Sequence, residues 1–347
     1  MKTYDLYDRI FGSLVTAGIG DAFGAPAEAF SQQEIKEAFG RITKFEDPSS
    51  NEISPDNNVA EITDDSSQLV EMAKAMIAAK GELTTQDAAN ALIAWSENWP
   101  KYYPRNAGET TRHIITGLKN GEDPLELAKV GKIWGRGSTN GAVMRIASAG
   151  LVNPGNLDGA VQSAVAMTSP SHGTQHAYAA ASAVACAIAE AVTEHADVWT
   201  VLRAAVYGAR KGQQIGLEET REALGPDVLE RMVTAITEAA LTDDMESLEK
   251  RLNELMGDET FAAQGATAVA LAMFAAADGE PMKAIYSCAN FGGDTDTLGC
   301  IAGMIAGALN GTEKIPKEIY EQFREANPHL PYEELAEGLY EIAAARI

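Results

Sequence analysis

Cysteine is rare in these 347 residues, and Cys186, Cys288 and Cys300 lie in apolar helical runs without CxxC spacing. That excludes a disulfide framework and a thiolate zinc site, and it reads as buried free thiols in a reducing compartment rather than as nucleophiles. Positive charge is also short, with 27 Lys and Arg against 50 Asp and Glu and a net charge of −23. No basic patch interleaved with aromatics offsets it, so nucleic acid is not an expected partner, and the field opposes long polyanionic substrates. Long apolar runs are missing: the stretch Ala266 to Ala277 falls short of a bilayer span, and Met1-Lys2-Thr3-Tyr4-Asp5 opens without an apolar signal core. The expectation is a cytoplasmic protein with no membrane partner.

Alternating β-branched runs are absent too, whereas apolar residues recur at helical spacing. Examples are Leu6, Ile10, Leu14 and Val15; Leu69, Met72, Ala73 and Met76; Val184, Ile188, Ala191 and Val192; and Leu229, Met232, Val233 and Ile236. Breakers such as Asn153-Pro154-Gly155 and Gly279-Glu280-Pro281 punctuate helices without making a long linker. The predicted fold is all-α, a single compact many-helix domain over 1–347. Small residues in Ala177 to Ala191 and Gly303 to Gly311 predict closely approaching inner helices.

Against this background one stretch carries chemistry. Gly292-Gly293-Asp294-Thr295-Asp296-Thr297-Leu298-Gly299 places two carboxylates and a threonine hydroxyl before an apolar helix expected over Leu298 to Leu309. In continuous helix Asp294 and Asp296 would diverge by about 200°, so the spacing predicts loop there. Upstream, Thr63-Asp64-Asp65 precedes a helical run from Ser67 to Lys80, with Thr63 placed as an N-cap. Either segment alone reads as an ordinary capped helix start with first-turn acids. Together they offer six hard oxygen ligands, Thr63, Asp64, Asp65, Asp294, Asp296 and Thr297, which suit magnesium, manganese or calcium rather than zinc or copper. Four carboxylates balance two divalent ions, and such pairs, roughly 3.5 to 4 Å apart in known sites, support hydrolysis.

Other segments are more ambiguous. Gly18 to Glu28 ends the first amphipathic helix either as a glycine cap with a proline stop or as an acidic turn carrying Asp21 and Glu28. Ser138 to Arg145 offers hydroxyls and backbone donors at another expected helix start, with Gly135-Arg136-Gly137 as an approach loop. His172 and His176 sit four apart without an intervening Glu, so a substrate-contacting or helix-capping histidine is preferred to a zinc pair.

The order of Gly20-Asp21-Ala22-Phe23-Gly24 with Glu28, Thr63-Asp64-Asp65, Asn140-Gly141-Ala142-Val143-Met144-Arg145, a histidine segment and Gly293-Asp294-Thr295-Asp296-Thr297 resembles the ADP-ribosylglycohydrolase family, including dinitrogenase reductase-activating glycohydrolases and J1-crystallin-like proteins. The resemblance implies two Mg2+ or Mn2+ ions on the six ligands, with Glu28, Asp65 and Asp294 as catalytic candidates. It also implies a substrate-binding set of Asp21, Ser138, Asn140, Gly141, His172 and Gly293, in which Asp21 supports the Glu28 loop. The implied substrate is an ADP-ribosylated protein or a small ribosylated molecule. In the histidine segment the chain departs from the usual Thr-His-x-His, reading Thr168-Ser169-Pro170-Ser171-His172. That leaves open a nucleoside or another N-ribosyl metabolite, and a non-catalytic crystallin-like member is the out-of-class alternative.

Overall fold

Helical periodicity with caps at the right positions produces a chain built almost entirely from helices. The computed structural model describes residues 4–129 and 136–347. Among them are seventeen α-helices and no strand, only two isolated bridges. Side-chain caps recur where the sequence offers them: Ser31, Thr84 and Asp197 each close a capping box, and Thr63 caps the helix Asp64–Ala78. One contiguous apolar core runs from Leu6 to Ala343.

At its centre the first helix, Leu6–Gly24, lies against Thr295–Asn310, both almost wholly buried. Glycine makes this possible. A Cβ on Gly20 would stand 2.0 Å from the Gly299 carbonyl oxygen, and one on Gly24 would stand 2.2 Å from the Asp296 amide nitrogen. Buried hydroxyls tie the pair further, with Thr16 Oγ1 donating to the Gly303 carbonyl at 2.7 Å and Ser13 Oγ to the Met304 carbonyl at 2.8 Å. Around this pair pack the alanine-rich helices Gln175–Ala191 and Ala263–Ala276.

Several local expectations change. Gly18 and Gly20 lie inside the first helix, which ends only at Gly24 before the turn Ala25–Ala27, and Gly20 and Gly24 lack side chains where the backbone of Thr295–Asn310 presses against them. The last acidic helix starts at Thr295 rather than Leu298, with Asp294 as its non-helical N-cap at φ −85° and ψ 69°. Only Asp294 is therefore in loop, and the divergence computed for continuous helix does not apply to the pair. The helix start expected at Ser138 to Arg145 is a three-residue 3₁₀ turn, Asn140–Ala142, pinned by Asn140 N–H to the Phe261 carbonyl at 3.2 Å and Ala263 N–H to the Ser138 carbonyl at 2.9 Å. Among the described residues the longest apolar helical stretch is Leu6–Ala27 rather than Ala266 to Ala277; it is long and apolar enough to cross a membrane by length and composition, and most of it is buried among other helices.

Candidate active site

The first helix organises the site from below. Asp21 is fully buried near its end and accepts the Thr63 N–H at 3.0 and 3.1 Å and the Ser66 N–H at 3.0 Å, so one carboxylate fixes the start of Asp64–Ala78. Asp21 thus holds the Thr63 turn rather than the Glu28 loop, and it is not among the residues that line the cleft, because its carboxylate is turned to these backbone donors inside the protein. Burial pushes its carboxyl up to about 6, tempered by those hydrogen bonds.

From the same helix the chain turns through Ala25–Ala27 to Glu28. This turn is clamped to the second acidic segment: Ala29 N–H donates to the Gly293 carbonyl and Gly293 N–H to the Phe30 carbonyl, each at 2.8 Å. Asn51 Nδ2 holds the Glu28 carbonyl at 2.9 Å, and Thr295 Oγ1 donates to the Gly24 carbonyl at 2.8 Å. Gly293 sits at φ +72°, and a Cβ there would come 2.2 Å from Thr260 Oγ1. Its place is structural: it carries the clamp and is not part of the cleft wall.

The two acidic turns meet. Thr63 Oγ1 donates to Asp296 Oδ2 at 3.3 Å, and Thr297 lies beside the carboxylates of Asp65 and Asp294. Asn140 Nδ2 reaches Asp294 Oδ2 at 2.6 Å, while Asp294 N–H donates to Thr260 Oγ1 at 3.1 Å. Carboxylate oxygens of Glu28, Asp294 and Asp296 lie within 4.8 Å of one another. Asp65 Oδ1 and Asp296 Oδ1 are buried without a hydrogen-bond partner. Orphaned anionic oxygens in a converging all-oxygen donor set fit a hard divalent cation, since buried carboxylates are otherwise strongly disfavoured. Burial and mutual repulsion push Asp64 up to about 8 and drive Glu28, Asp65 and Asp296 well above the ordinary range, with Asp294 raised by burial.

A cleft of about 500 Å³ opens over these groups. Glu28, Asp64, Asp65, Asp294, Asp296 and Thr297 form its floor, Ser138, Asn140 and Gly141 one wall, and Phe261, Leu224 and Pro226 an apolar part of the rim. At its edge Arg136 pairs with Glu109, and Arg231 pairs with Glu259. Gly135, placed with Arg136 in the expected approach loop, lies outside the described residues. His172 does not reach the cleft. It is fully buried behind the wall, with Nε2 at 2.9 Å from Thr139 Oγ1 and Nδ1 at 2.7 Å from Ser171 Oγ, because the Thr168 to Thr174 segment passes under Gly141. His176 is separate and bonds the Ala223 carbonyl at 3.1 Å.

Sequence reasoning passed over Thr260, Asn51 and Gln68, and took Thr139 only as one of the hydroxyls of the Ser138 to Arg145 segment. Thr260 takes the Asp294 N–H and offers its carbonyl to Asn140 at 2.9 Å, and Gln68 Nε2 donates to Asp64 Oδ2 at 2.9 Å. No spacing or periodicity marks Thr260 or Asn51, since each acts through a contact distant in sequence, whereas Gln68 reaches Asp64 at the i, i+4 spacing of one helix face.

The sequence profile of ADP-ribosylglycohydrolase matches residues 2–346. The chain is 29% identical over 318 residues to the uncharacterized protein YegU of Escherichia coli strain K12, covering 91% of this chain and 90% of that one. It is 24% identical over 316 residues to the ADP-ribosyl-[dinitrogen reductase] glycohydrolase of Rhodospirillum rubrum, covering 90% and 88% respectively. A solved structure described as an ADP-ribosylglycohydrolase-related protein complex shares the fold, with a TM-score of 0.68 at 21% identity, over 98% of this chain and 100% of the other.

Proposed function

Because the chain belongs to the ADP-ribosylglycohydrolase family, we propose that it is a metal-dependent hydrolase of a ribosyl glycosidic bond. The observation that carries the reading is the convergence of Glu28, Asp294 and Asp296 beside the unpartnered oxygens of Asp65 and Asp296. Thr63, Asp64, Asp65, Asp294, Asp296 and Thr297 would hold two Mg2+ or Mn2+ ions, with Glu28 adjoining them. Such ions, when bound, orient vicinal hydroxyls and make water more acidic.

The chain's own groups supply the rest. Cleavage at an anomeric carbon passes through an oxocarbenium-like state, and the carboxylates on the cleft floor favour that positive charge. Glu28, Asp65 and Asp294 are the acceptors available for a proton from water, Asp294 being steered by Asn140 and Thr260. Ser138, Asn140 and Gly141 line the wall against which the ribosyl group packs.

An ADP-ribosylated protein or small ADP-ribose conjugate is the first substrate class. A nucleoside or other N-ribosyl metabolite is the second, favoured by the pairing of Arg136 and Arg231 with carboxylates, which leaves those two cations engaged rather than open to a diphosphate. Cytoplasmic placement belongs to the same proposal, supported by three buried free cysteines. Purified protein with Mg2+ is incubated with ADP-ribosyl-arginine and, separately, with nucleosides. Release of ADP-ribose or ribose that stops with EDTA is expected. Absence of any ribosyl cleavage, together with no divalent uptake by calorimetry, overturns the reading.

A further inference from the structure

The side chain of Arg145 is among the largest fully buried ones in the molecule, and it faces two neutral groups rather than a carboxylate. We propose that Arg145 is a positioning residue that sets hydrogen-bond polarity in two directions, turning the Gln68 amide toward Asp64 and making the Thr139 hydroxyl a committed donor to an acceptor oxygen of the substrate. The word substrate rests on the ribosyl-hydrolase reading; the polarity itself rests on geometry.

A guanidinium carries only donors. One of its nitrogens faces Gln68, so the Gln68 atom there is Oε1, and Nε2 is turned to Asp64 Oδ2 at 2.9 Å. This commits one oxygen of Asp64, a residue of the cleft floor. In the other direction Arg145 donates to Ser171 Oγ at 2.7 Å. The Ser171 hydrogen then has His172 Nδ1 at 2.7 Å or the Thr168 carbonyl at 3.3 Å, and the shorter bond takes it. With Nδ1 accepting, neutral His172 carries its proton on Nε2 and donates it to Thr139 Oγ1 at 2.9 Å. Burial and the neighbouring guanidinium both hold His172 neutral. The Thr139 hydrogen is left over, on a residue that lines the cleft. Reversing the Gln68 link would set two donors face to face inside the protein, where unpaired polar groups are costly, and reversing the histidine links would move the Ser171 hydrogen from the 2.7 Å bond to the longer 3.3 Å one to the Thr168 carbonyl.

Three measurements on the full chain test this. In histidine-15N protein, long-range 15N–1H correlations at pH 7, assigned by replacing His113, His176, His195 and His329 in turn, should show His172 neutral with its proton on Nε2. An Nδ1–H tautomer or an imidazolium overturns the proposal. Thr139→Val, which keeps the shape and removes the hydroxyl, should raise KM about tenfold while leaving kcat, melting temperature and Mg2+ affinity nearly unchanged. A rise with both ADP-ribosyl-arginine and a nucleoside places the accepted oxygen on the ribosyl group, and a rise with the former alone places it on the diphosphate; an unchanged KM overturns the donor role. Arg145→Lys, still a pure donor, should keep the His172 tautomer and the calorimetric Mg2+ affinity of substrate-free protein, whereas Arg145→Met should lose the tautomer and weaken Mg2+ about tenfold. Equal behaviour of the two variants refutes the polarity role. The tautomer and calorimetry need no turnover, so a failed enzymatic reading is distinguishable from a failed polarity chain.

Discussion

Metal-free protein should become less stable as pH rises from 5 to 8, and divalent metal should remove that slope. The carboxyl of Asp64 is raised from 3.8 to about 8, so the folded state keeps its proton through a range where the unfolded chain has released it. Unfolding then releases a proton, the folded state binds more, and stability falls with pH by about 1.4 kcal/mol per pH unit for each proton retained. Asp64 alone costs about 3 kcal/mol between pH 5 and pH 7 on that slope. Glu28, Asp65 and Asp296 shift the same way, and Asp21, raised to about 6, adds to the slope in the lower part of the window. A cation bound by these groups displaces the protons and reverses the preference, stabilising by about 2.7 kcal/mol at a hundredfold excess over Kd. Urea unfolding followed by far-UV circular dichroism at pH 5, 6, 7 and 8, in EDTA and in saturating Mg2+, measures both slopes. A flat metal-free profile, or parallel profiles with and without Mg2+, would refute the reasoning that this cluster is a cation site held together against its own charge.

Asp296→Asn should abolish divalent uptake and turnover while retaining helical ellipticity, and in EDTA at pH 8 it should be more stable than the parent by on the order of 1 kcal/mol, because a buried charge is gone; a loss of stability instead would make Asp296 a purely structural cap. Gly293→Ala puts a Cβ 2.2 Å from Thr260 Oγ1 at a φ of +72°, so denaturant unfolding should show a loss of about 1 to 3 kcal/mol and calorimetry a weaker metal site. Asp21→Asn keeps the volume but turns an NH2 toward backbone N–H groups that now face two acceptor oxygens, and should cost about 1 to 3 kcal/mol with weakened metal binding. Asn51→Ala frees the Glu28 carbonyl and should lower kcat more than it lowers thermal stability; an unchanged kcat would mean the Glu28 turn is held by its Gly293 clamp alone.

Much of this was legible because each half of the site is a local pattern. Thr63-Asp64-Asp65 and Asp294-Thr295-Asp296-Thr297 announce themselves as oxygen-rich helix starts before any fold is known. The helices followed from apolar spacing for the same reason. What sequence could not provide was the third dimension of small residues. Gly20 and Gly24 look like a helix terminator until Gly299 and Asp296 are seen pressed against them, and nothing in one segment reports the other. His172 likewise offers its chemistry in sequence but not its burial, which sends it behind the wall to hold Thr139. Thr260 and Asn51 carry no pattern at all, since their partners Asp294 and Glu28 are supplied by distant parts of the chain.

The first helix explains how two acidic turns so far apart in sequence are kept in register. Asp21 accepts the backbone donors of Thr63 and Ser66, which sets one turn. One turn of helix further on, Gly24 meets the Asp296 amide and receives the Thr295 hydroxyl on its carbonyl, which sets the other. Both halves therefore hang from consecutive turns of a single buried element, and side-chain-free contact at Gly20 and Gly299 leaves little room for that element to slide. Like-charged groups repel, so a cluster assembled on loops would open whenever the cation left. Here the repulsion acts against a close-packed helix pair, and the acidic cluster is held in place by packing made elsewhere.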